Sequence, residues 1–518
     1  MDSKRFKGIL LSMDLQKAFD NVNHSFLWEV MKKFNFPPSL IQCLQNLYKT
    51  ATSRILFNGF LTSEINIRRS VRQGWPLSMI LFVLYIEPLI RQIYHNLLGV
   101  FVDNKFIKIV AYADDIHVFI RSPEEFDLVF QIIHSFSSFA NIHVNMEKSG
   151  FIRINNFKCG PQQIKEVDHL KILGVTFCSN WSKSVDLNYI RVIKNIQLVL
   201  DRNKSRNLSL IERVIFVNTY ALAKLWYLAQ IFPPTNGSIA KIRCLVGQFI
   251  WKKSIFKTNR DQLYLDYTKG GIRLVEVATK AKALFVNNLL YRQNADGDYE
   301  EEVFLLTYKH PGALGRNARE WLGCAQGLKS VTGLESTKAL YIHFLENGTV
   351  IPRIQSTIPQ LQWDTIWRNV SFNFLFMNDR SIMFSLLNDL IPTRAKLFAY
   401  NIGRIDDTRC EHCGLEDTNE HRIKLCVNSK AVWSWCISIL KNNYGLAIDD
   451  PEDILSWNSG FAHPMHKAAL WLVVSCISYN LTSYPRSNLF VFKKIIRERR
   501  WNGRRVFQRN FSKYLFIC

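Results

Sequence analysis

The sequence of 518 residues has no long hydrophobic run, and its first residues show no signal-peptide pattern. Its longest apolar stretches, such as residues 468–478, are far shorter than the roughly 18 residues that a membrane-spanning helix needs. The first residues, Met1-Asp2-Ser3-Lys4, lead into the chain without the apolar segment and small-residue cleavage site of a signal peptide. We therefore expect a protein that neither crosses a membrane nor is secreted.

Cysteine is scarce and unevenly placed. The 11 cysteines, an odd number, are spread between Cys43 and Cys518. Small secreted proteins that depend on disulfides have dense cysteines in even numbers, and this sequence does not follow that pattern. The cysteine usage therefore excludes a disulfide framework and favours a reduced, intracellular protein.

Acidic residues are also few, because 43 Asp+Glu stand against 66 Lys+Arg and give a formal net charge of +23. Such an excess favours a polyanionic partner, and nucleic acid is the first candidate. The composition, with 48% hydrophobic, 13% aromatic and 21% charged residues, excludes a disordered or collagen-like chain. At about 150 residues per domain, the length predicts roughly three domains.

Short β-type runs alternate with helical patterns in the first third of the chain, which predicts an α+β fold. Strands are predicted at Gly8–Met13, Phe106–Tyr112 and Ile116–Ile120, and helices at Phe26–Phe34 and Phe126–Ala140. The second and third strands flank Asp114-Asp115. They predict a tight β-hairpin whose turn carries both carboxylates.

Three carboxylates stand at the ends of these strands. Asp14 follows the first strand, and Asp114 and Asp115 follow the second. Adjacent like charges repel each other, and a hard cation such as Mg²⁺, which prefers carboxylate oxygens and substrate phosphates, removes that penalty. Two such ions can activate an attacking hydroxyl and stabilise a leaving oxygen in phosphoryl transfer. The alternative is structural, with Asp114 and Asp115 as turn residues and Asp14 as a helix cap.

Five ordered motifs resemble those of the palm domain of reverse transcriptases. In chain order they are Met13–Asp20, Val71–Ser78, Tyr112–Asp115, Asn145–Ser149 and His169–Gly174. Their order and spacing are most similar to those of non-LTR, LINE-type retrotransposon polymerases, including jockey-like elements. Leu208–Val214 and Gly270–Leu274 resemble the thumb and post-thumb signatures of the same family.

The resemblance implies metal-dependent nucleotidyl transfer. Asp14, Asp114 and Asp115 match the family's ligands for Mg²⁺ (or Mn²⁺), and the Leu15 backbone carbonyl matches a further ligand. Lys148 matches the lysine proposed to protonate the pyrophosphate leaving group, a role that suits a positioned cation near developing charge. Taken alone, Lys148 equally fits a solvated surface lysine.

The resemblance also implies a nucleotide-binding site. Phe19 matches the aromatic residue that crowds the sugar 2′ position and so selects deoxynucleoside triphosphates; the alternative is an ordinary core phenylalanine. Arg72, Gln73 and Gly74 match the segment that lies against the incoming nucleotide and the template–primer pair, where a glycine permits close backbone approach. Trp75 departs from the small residue that is more usual at its position.

A cysteine/histidine cluster follows much later in the chain. Cys410, Cys413, His421 and Cys426 form the pattern Cys-x2-Cys-x7-His-x4-Cys. Three thiolates and an imidazole can close a tetrahedral Zn²⁺ site, and four protein ligands leave no open position for a reactive water. The pattern predicts structural zinc; the alternative is scattered cysteines with an accidental histidine. It resembles the carboxy-terminal cluster of LINE-type proteins, which implies nucleic-acid binding.

Two segments concentrate the positive charge. Lys241–Arg260 holds six basic residues and no acidic one, and Arg486–Lys513 holds ten basic residues interleaved with aromatic ones. Cations can follow phosphates while aromatic rings stack on bases, so the second segment predicts nucleic-acid binding. The alternative for it is an amphipathic helix with a solvated basic face. The acidic cluster at Asp296–Glu302 predicts a solvated loop.

These features predict an α+β reverse transcriptase palm with partial fingers, followed by helical regions. The predicted parts are the palm with partial fingers at 1–180, a helical thumb at 181–260, a helical connector at 261–400, a zinc knuckle at 401–430 and a basic, helical carboxy-terminal region at 431–518. Because Asp14 lies close to the start of the chain, the resemblance implies an amino-terminally truncated protein without the upstream fingers and endonuclease.

The leading hypothesis is an RNA-directed DNA polymerase that uses deoxynucleoside triphosphates to extend a DNA primer on an RNA template, in the nucleus and cytoplasm. The second hypothesis is a catalytically inactive remnant that binds nucleic acid through its thumb, knuckle and tail. A maturase or telomerase-like relative is a third hypothesis, and the cluster at 410–426 favours the LINE-type protein over it. No membrane partner is expected.

Overall fold

The structure is a computed structural model. It describes residues 8–102, 105–154, 157, 160, 164–252, 254–295, 316–328, 333–334, 336–346, 351–403, 405–445, 464–484 and 487–501. The predicted acidic loop and the basic tail beyond residue 501 lie outside the described residues, so the predictions made for them stay predictions.

The strands and helices have the following bounds. The strands are β1 (Gly8–Met13), β2 (Thr52–Ser53), β3 (Leu56–Phe57), β4 (Phe60–Leu61), β5 (Ile65–Asn66), β6 (Val100–Val102), β7 (Lys105–Ile107), β8 (Ile109–Tyr112), β9 (Asp115–Ile120), β10 (Gly150–Ile154), β11 (Lys165–Glu166), β12 (His169–Ile172) and β13 (Val175–Cys178). The first ten α-helices are α1 (His24–Lys33), α2 (Pro38–Lys49), α3 (Pro76–Asn96), α4 (Pro123–Ala140), α5 (Trp181–Arg202), α6 (Leu210–Phe216), α7 (Ala223–Ala229), α8 (Asn236–Trp251), α9 (Arg260–Tyr264) and α10 (Val277–Ala295). The remaining ones are α11 (Arg316–Leu328), α12 (Thr337–Glu346), α13 (Arg353–Thr357), α14 (Trp363–Val370), α15 (Met377–Leu387), α16 (Arg394–Ala399), α17 (Val427–Tyr444), α18 (Pro464–Ser483) and α19 (Leu489–Trp501). Two π-helices cover Val217–Ala221 and His421–Leu425, and a 3-10 helix covers Tyr267–Lys269.

The chain divides into two compact units. Unit 1 comprises residues 1–191, 228–236 and 284–336, and unit 2 comprises residues 192–227, 237–283 and 337–518. Sheet and helix are mixed in the described residues, so the predicted α+β class is confirmed. The finer division into five parts stays a prediction.

A five-stranded sheet organises unit 1, with the strand order β11-β10-β1-β9-β8. The central strand β1 pairs antiparallel with β10 on one side and with β9 on the other, while β11 runs parallel to β10. A strand that is covered on both faces needs apolar residues at successive positions. This requirement explains why Gly8–Met13 is apolar at every position except Ser12.

Alternate side chains of β1 contribute to two different cores. Leu11 joins Phe82 and Tyr85 of α3 in the main core of unit 1. Leu10, on the opposite face of the sheet, packs with Ile152 of β10 in a smaller cluster. The sheet is therefore anchored from both sides, and the ends of its strands are fixed in space.

Helix α3 is long and apolar enough to cross a membrane, judged by length and composition. Its most apolar 18-residue window has a mean hydropathy of 1.4, and 39% of that window is buried in the protein. Reading the sequence for unbroken apolar runs missed this window because Glu87 and Arg91 interrupt it. Leu81, Phe82 and Tyr85 of the helix lie in the core of unit 1, and buried core helices pass the same test.

The predicted elements of unit 1 are confirmed with adjusted bounds. Helices α1 and α4 begin before the predicted residues because Asn23 and Ser122 accept hydrogen bonds from backbone N–H groups of the first turns. The strand predicted at Phe106–Tyr112 is divided, since β7 pairs with β6 whereas β8 pairs with β9. The chain changes its partner strand at Lys108. A run of apolar residues in the sequence does not reveal such a change, because it does not show which strands pair.

Unit 2 has its own core. Its largest buried side chains include Trp367 of α14, Met383 of α15 and Phe492 of α19, which pack with residues of α17 and α18. The described parts of the predicted thumb and connector are mostly helical, as their apolar spacing indicated.

The Gly270-Gly271 pair closes a tight loop in unit 2. Gly270 has a φ of +78°, and a Cβ atom on Gly271 would lie only 2.1 Å from the Leu265 carbonyl oxygen. In this loop the Gly271 N–H donates to the Asp266 carbonyl at 2.9 Å, and the Arg273 N–H donates to the Leu265 carbonyl at 3.0 Å. Two backbone segments thus approach more closely than any residue with a side chain permits.

We expect the substitution Gly271→Ala to destabilise unit 2 by about 2 kcal/mol or more, because the Leu265 backbone has to move. Gly247, inside α8 with open space around its Cβ position, offers a matched control. There, alanine should stabilise the protein by about 0.5–1 kcal/mol. Urea unfolding followed by tryptophan fluorescence measures both effects. Equal midpoints for Gly271→Ala and the wild type would contradict the close approach.

Candidate active site

The strand registers bring the three predicted aspartates to one edge of the sheet in unit 1. The pairing of β1 with β9 ends at Met13 opposite Ile116, so Asp14 leaves β1 at the level of Asp115. Asp14 is half-buried, whereas Asp115 is exposed. Residues separated by a hundred positions in the chain therefore become neighbours in the backbone.

The hairpin turn between β8 and β9 consists of Ala113 and Asp114. Tyr112 pairs with Asp115, which is the first residue of β9. Ala113 has a φ of 54°, as expected at the first central position of a primed two-residue turn. The prediction that the turn carries both carboxylates is therefore corrected: Asp114 lies in the turn, and Asp115 lies in the strand because the ladder closes there.

Asp14 is held through both of its backbone polar groups. Its carbonyl accepts a hydrogen bond from the Asn145 N–H at 2.7 Å, and its N–H donates to Ser149 Oγ at 3.1 Å. The buried Ser149 hydroxyl also donates to the Asn145 carbonyl at 2.7 Å. Lys148 belongs to this turn and has an exposed side chain. The turn that carries Lys148 therefore fixes the backbone of Asp14.

After β1, Leu15 forms an isolated β-bridge, and its own carbonyl takes no part in the hydrogen bonds of this bridge. Leu15 lies opposite Val144, and the two hydrogen bonds of this bridge use the Asp14 carbonyl and the Gln16 N–H. Three carboxylates and a carbonyl are the donor types that Mg²⁺ prefers. Within the described residues, the aspartate oxygens do not converge as tightly as the Cys/His ligand atoms, which lie within 4.8 Å of one another.

Phe19 lies at the border of the core. Its ring stacks on Phe82 of α3, with 4.6 Å between the ring centroids and 20° between the planes. The side chain is half-buried, so one face packs in the protein and part of the ring remains accessible. This placement is compatible with both roles that the sequence left open for it.

Arg72, Gln73 and Gly74 form the turn that precedes α3. The Trp75 N–H donates to the Arg72 carbonyl at 3.3 Å, and the Arg72 guanidinium lies 4.9 Å from the centre of the Trp75 ring. Gly74 has a φ of +89°, and no atom lies within 4 Å of its Cβ position. Within the protein, Gly74 is therefore required for its backbone conformation.

Sequence reasoning missed His117. This residue of β9 is 4% exposed, and within the described residues neither ring nitrogen has a hydrogen-bond partner. Burial lowers the pKa of His117, while the charge of Asp115 acts in the opposite direction. A polar residue at an inward position of an otherwise apolar strand was the available signal.

A cavity of about 460 Å³ was also missed. It lies between segments 17–21 and 66–70, and its charged lining residues are Lys17, Arg68, Arg69 and Asp20. The two stretches of chain are joined by backbone hydrogen bonds, from the Ser70 N–H to the Val22 carbonyl at 3.0 Å and from the Val71 N–H to the Phe19 carbonyl at 2.9 Å. Only the pairing of distant segments creates this cavity, so no local motif could have indicated it.

The Cys/His cluster forms a compact group in unit 2. The ligand atoms of Cys410, Cys413, His421 and Cys426 all lie within 4.8 Å of one another, and Cys413 Sγ lies 3.1 Å from His421 Nε2. Two thiolates that share a tetrahedral zinc lie about 3.8 Å apart, so the donor set and its spread suit this metal. The four residues predicted from spacing are thus brought together.

The last two members of the cluster are joined by a π-helical turn. The Cys426 N–H donates to the His421 carbonyl at 2.8 Å, an i to i+5 hydrogen bond. The His-x4-Cys spacing therefore corresponds to one π-helical turn, which places both side chains on the same side. Such turns often occur at functional sites.

The thiols of the cluster differ in their surroundings. Burial raises the pKa of Cys426 to about 11. Burial acts in the same direction on Cys410, but hydrogen bonds from the Tyr484 hydroxyl and the His412 N–H outweigh it and lower the pKa of Cys410. Cys410 is therefore the member of this pair that more readily becomes a thiolate.

Residues 1–177 match the family model described as "Reverse transcriptase (RNA-dependent DNA polymerase)". The matched range contains the three aspartates, Phe19 and the turn that precedes α3. Residues 1–177 are a reverse transcriptase domain. The family predicted from the ordered motifs is thereby confirmed for this part of the chain.

Relatives of the reverse transcriptase domain come from retrotransposons. The chain is 27% identical over 251 residues to the transposon TX1 uncharacterized 149 kDa protein of Xenopus laevis, a match that covers 46% of this chain and 19% of that protein. It is 24% identical over 313 residues to a retrovirus-related Pol polyprotein from the type-1 retrotransposable element R2 of Popillia japonica, covering 55% of this chain and 50% of that protein. These relatives support a non-LTR reverse transcriptase, and the chain spans half of their length or less.

Among solved structures, telomerase from Candida albicans in complex with a TWJ fragment of telomeric RNA resembles the chain. The likeness covers 66% of this chain and 50% of that chain, with 11% sequence identity and a TM-score of 0.30. At this TM-score the likeness does not bear on the arrangement of the reverse transcriptase domain.

We expect the substitution Ser149→Ala to destabilise the reverse transcriptase domain by about 1–2 kcal/mol, because it leaves the Asp14 N–H without its partner. Ser137→Ala is the matched control, since the Ser137 hydroxyl donates only to the carbonyl of Ile133 one helical turn away. The control should change stability by less than about 0.5 kcal/mol. Thermal unfolding compares the two; equal melting temperatures would contradict the role of Ser149.

Proposed function

We propose that the chain is an RNA-directed DNA polymerase of a non-LTR retrotransposon, which extends a DNA 3′ end on an RNA template. The observation that carries this proposal is the placement of Asp14, Asp114 and Asp115 at one sheet edge within a reverse transcriptase domain. Distant carboxylates placed together suit the divalent cations that phosphoryl transfer requires.

Asp14, Asp114, Asp115 and the Leu15 carbonyl would hold Mg²⁺ (or Mn²⁺), which supplies electrostatic stabilisation when nucleotidyl transfer occurs. In that reaction the primer 3′ hydroxyl gives up its proton to water and its oxygen forms a bond to the α-phosphorus, while the bond from this phosphorus to the bridging oxygen of the leaving pyrophosphate breaks. Lys148 would donate a proton to the pyrophosphate oxygen. The turn that carries Lys148 is hydrogen-bonded to the Asp14 backbone, which places the backbone of the proposed acid beside that of the proposed metal ligand.

The incoming deoxynucleoside triphosphate would lie between Phe19 and the turn formed by Arg72, Gln73 and Gly74. The accessible part of the Phe19 ring is suited to contact the sugar, because its other face is fixed by stacking on Phe82. The Arg72 guanidinium, placed by its contact with Trp75, supplies a cation beside this site. Positioning and charge are the main contributions that a polymerase makes to phosphoryl transfer.

The substitution Asp114→Asn should reduce extension of a DNA primer on RNA by at least about 100-fold, because one metal-binding charge is lost. Asp127→Asn, an exposed position on α4, is the matched control and should retain full activity. Extension is measured on gels with Mg²⁺ or Mn²⁺. Unchanged extension by Asp114→Asn would overturn the proposal, and wild-type RNA binding without incorporation at any metal concentration would favour the inactive remnant.

The substitution Phe19→Val should lower discrimination against ribonucleotides by about tenfold or more, because space opens at the sugar. Phe82→Leu disturbs the same ring stack from α3 and leaves the side chain at position 19 unchanged, so it should keep the discrimination. The ratio of kcat/KM for deoxy- and ribonucleotides decides between the two roles. An equal loss in both variants would show that Phe19 acts only as a core residue.

We also propose that Cys410, Cys413, His421 and Cys426 bind one structural Zn²⁺. The proposal is supported by the compact donor set, whose ligand atoms lie within 4.8 Å of one another, and by the His421 Nε2 atom, which faces Cys413 Sγ at 3.1 Å. A metal on four protein ligands contributes folding free energy rather than catalysis. Together with the positive charge of the chain, the cluster would present a surface for RNA.

The purified wild-type chain should contain about one zinc ion, and Cys413→Ser should lose it and unfold at a lower temperature. Cys244→Ser, at an exposed position of α8, is the control and should retain the ion. Elemental analysis and thermal unfolding with and without a chelator measure both effects. A wild-type chain that takes up no zinc under reducing conditions would contradict the proposal.

A further inference from the structure

A ring of polar contacts surrounds the Cys/His cluster. Asp417 pairs with Arg422, whose guanidinium lies 4.5 Å from the centre of the Tyr484 ring. The Tyr484 hydroxyl donates to Cys410 Sγ at 2.9 Å, and Asp417 Oδ1 faces His421 Nδ1 at 3.6 Å. The contacts therefore connect two members of the cluster through three residues that are not ligands. We call these three residues, Asp417, Arg422 and Tyr484, the polar ring.

Asp417 is the most deeply buried member of the polar ring, with no exposed surface. Its carboxylate accepts hydrogen bonds from Arg422 Nε at 2.8 Å, from the second Arg422 donor nitrogen at 2.6 Å and from the Arg394 N–H at 2.8 Å. These bonds fix the direction of the carboxylate and offset the cost of burying its charge. Asp417 is thus held in place independently of His421.

His421 has the complementary arrangement. The ring is 1% exposed, its Nε2 atom lies 3.1 Å from Cys413 Sγ, and its Nδ1 atom has no hydrogen-bond partner in the described residues. The charged atom that faces Nδ1 is Asp417 Oδ1, about half an ångström beyond hydrogen-bond length. A small movement of the imidazole toward the carboxylate would satisfy the buried nitrogen.

We propose that Asp417 is a positioning residue for the metal: its carboxylate accepts the Nδ1–H of His421 and so holds the tautomer whose Nε2 faces the three thiols. This inference rests on the proposed zinc site. A carboxylate behind a histidine ligand fixes the ring orientation and raises the basicity of the ligand nitrogen. Tyr484, another member of the polar ring, acts on a different ligand: its hydroxyl stabilises the Cys410 thiolate.

The competing explanation is that Asp417 only neutralises Arg422 and closes the loop at Arg394. Two variants separate the explanations. Asp417→Asn removes the charge behind His421 and weakens the pair with Arg422, whereas Arg422→Gln breaks the same pair and leaves the carboxylate behind His421. A structural role predicts similar consequences from both changes. A positioning role predicts a larger loss of metal affinity from Asp417→Asn.

The experiment uses the full chain, stripped of metal and titrated with Zn²⁺ in competition with a chromophoric chelator. We expect Asp417→Asn to weaken zinc binding about 10- to 100-fold, the usual effect of removing such a partner. The exposed control Asp389→Asn should stay within about threefold of the wild type. Arg422→Gln leaves the buried Asp417 carboxylate without its main partner, so it should lower the unfolding temperature but weaken zinc binding clearly less than Asp417→Asn does. The visible absorption of the Co²⁺-loaded protein should change in Asp417→Asn and keep the wild-type bands in the other two.

A double-mutant cycle identifies the group through which Asp417 acts. The substitution His421→Cys replaces the imidazole by a fourth thiolate, which still suits zinc but has no second nitrogen to hold. In this background Asp417→Asn should leave zinc affinity unchanged if Asp417 acts through His421. An undiminished effect in this background would overturn the inference, and the cycle remains informative even if Asp417→Asn is less stable.

The outcomes separate this inference from the zinc proposal. A wild-type chain that binds neither Zn²⁺ nor Co²⁺ overturns both. A wild-type chain that binds Zn²⁺ tightly while Asp417→Asn binds it equally well, with identical Co²⁺ spectra, overturns only the role of Asp417. Equal losses of affinity in Asp417→Asn and Arg422→Gln also overturn it, because the ion pair alone would then explain both.

Discussion

The antiparallel pairing of β1 with β9 is the constraint on which the candidate active site depends. Its register sets Met13 opposite Ile116 and thereby brings Asp14 to the level of the hairpin that carries Asp114. A slip of one residue would exchange the two faces of β1, so that Leu10 and Leu11 would each point into the core that the other fills. The burial of Leu11 in the main core therefore protects the position of Asp14 as well as the stability of the sheet.

Much of this sheet could be predicted from the sequence, because β1 is covered on both faces and its residues are apolar except for Ser12. The bounds Gly8–Met13 were correct for this reason. The exchange of partners at Lys108 and the strand position of Asp115 were not predictable, since they depend on which strands pair rather than on residue types. His117 was missed because single polar residues are common within apolar runs. Only the folded sheet shows that its side chain faces inward.

The Cys/His cluster was also predictable only in part, because one of its contacts comes from a residue far away in the sequence. Spacing alone identified Cys410, Cys413, His421 and Cys426, because ligands close in sequence can reach one centre without help from the rest of the chain. Tyr484, which contacts Cys410, follows it by 74 positions. Its contribution depends on the packing of unit 2, and no local pattern records that packing. The predicted roles of the aspartates, Phe19 and Lys148 remain predictions, whereas the reverse transcriptase domain that contains them is established.

The π-helical turn between His421 and Cys426 has a consequence for insertions and deletions. In an α-helical turn, the hydrogen bond that joins these two residues would span one residue fewer. Deleting a single residue between them would tighten the turn and rotate one side chain away from the other, whatever the remaining residues were. Substitutions at exposed positions such as Leu425 leave the turn intact. Across related sequences, the length of this segment should therefore vary less than its composition.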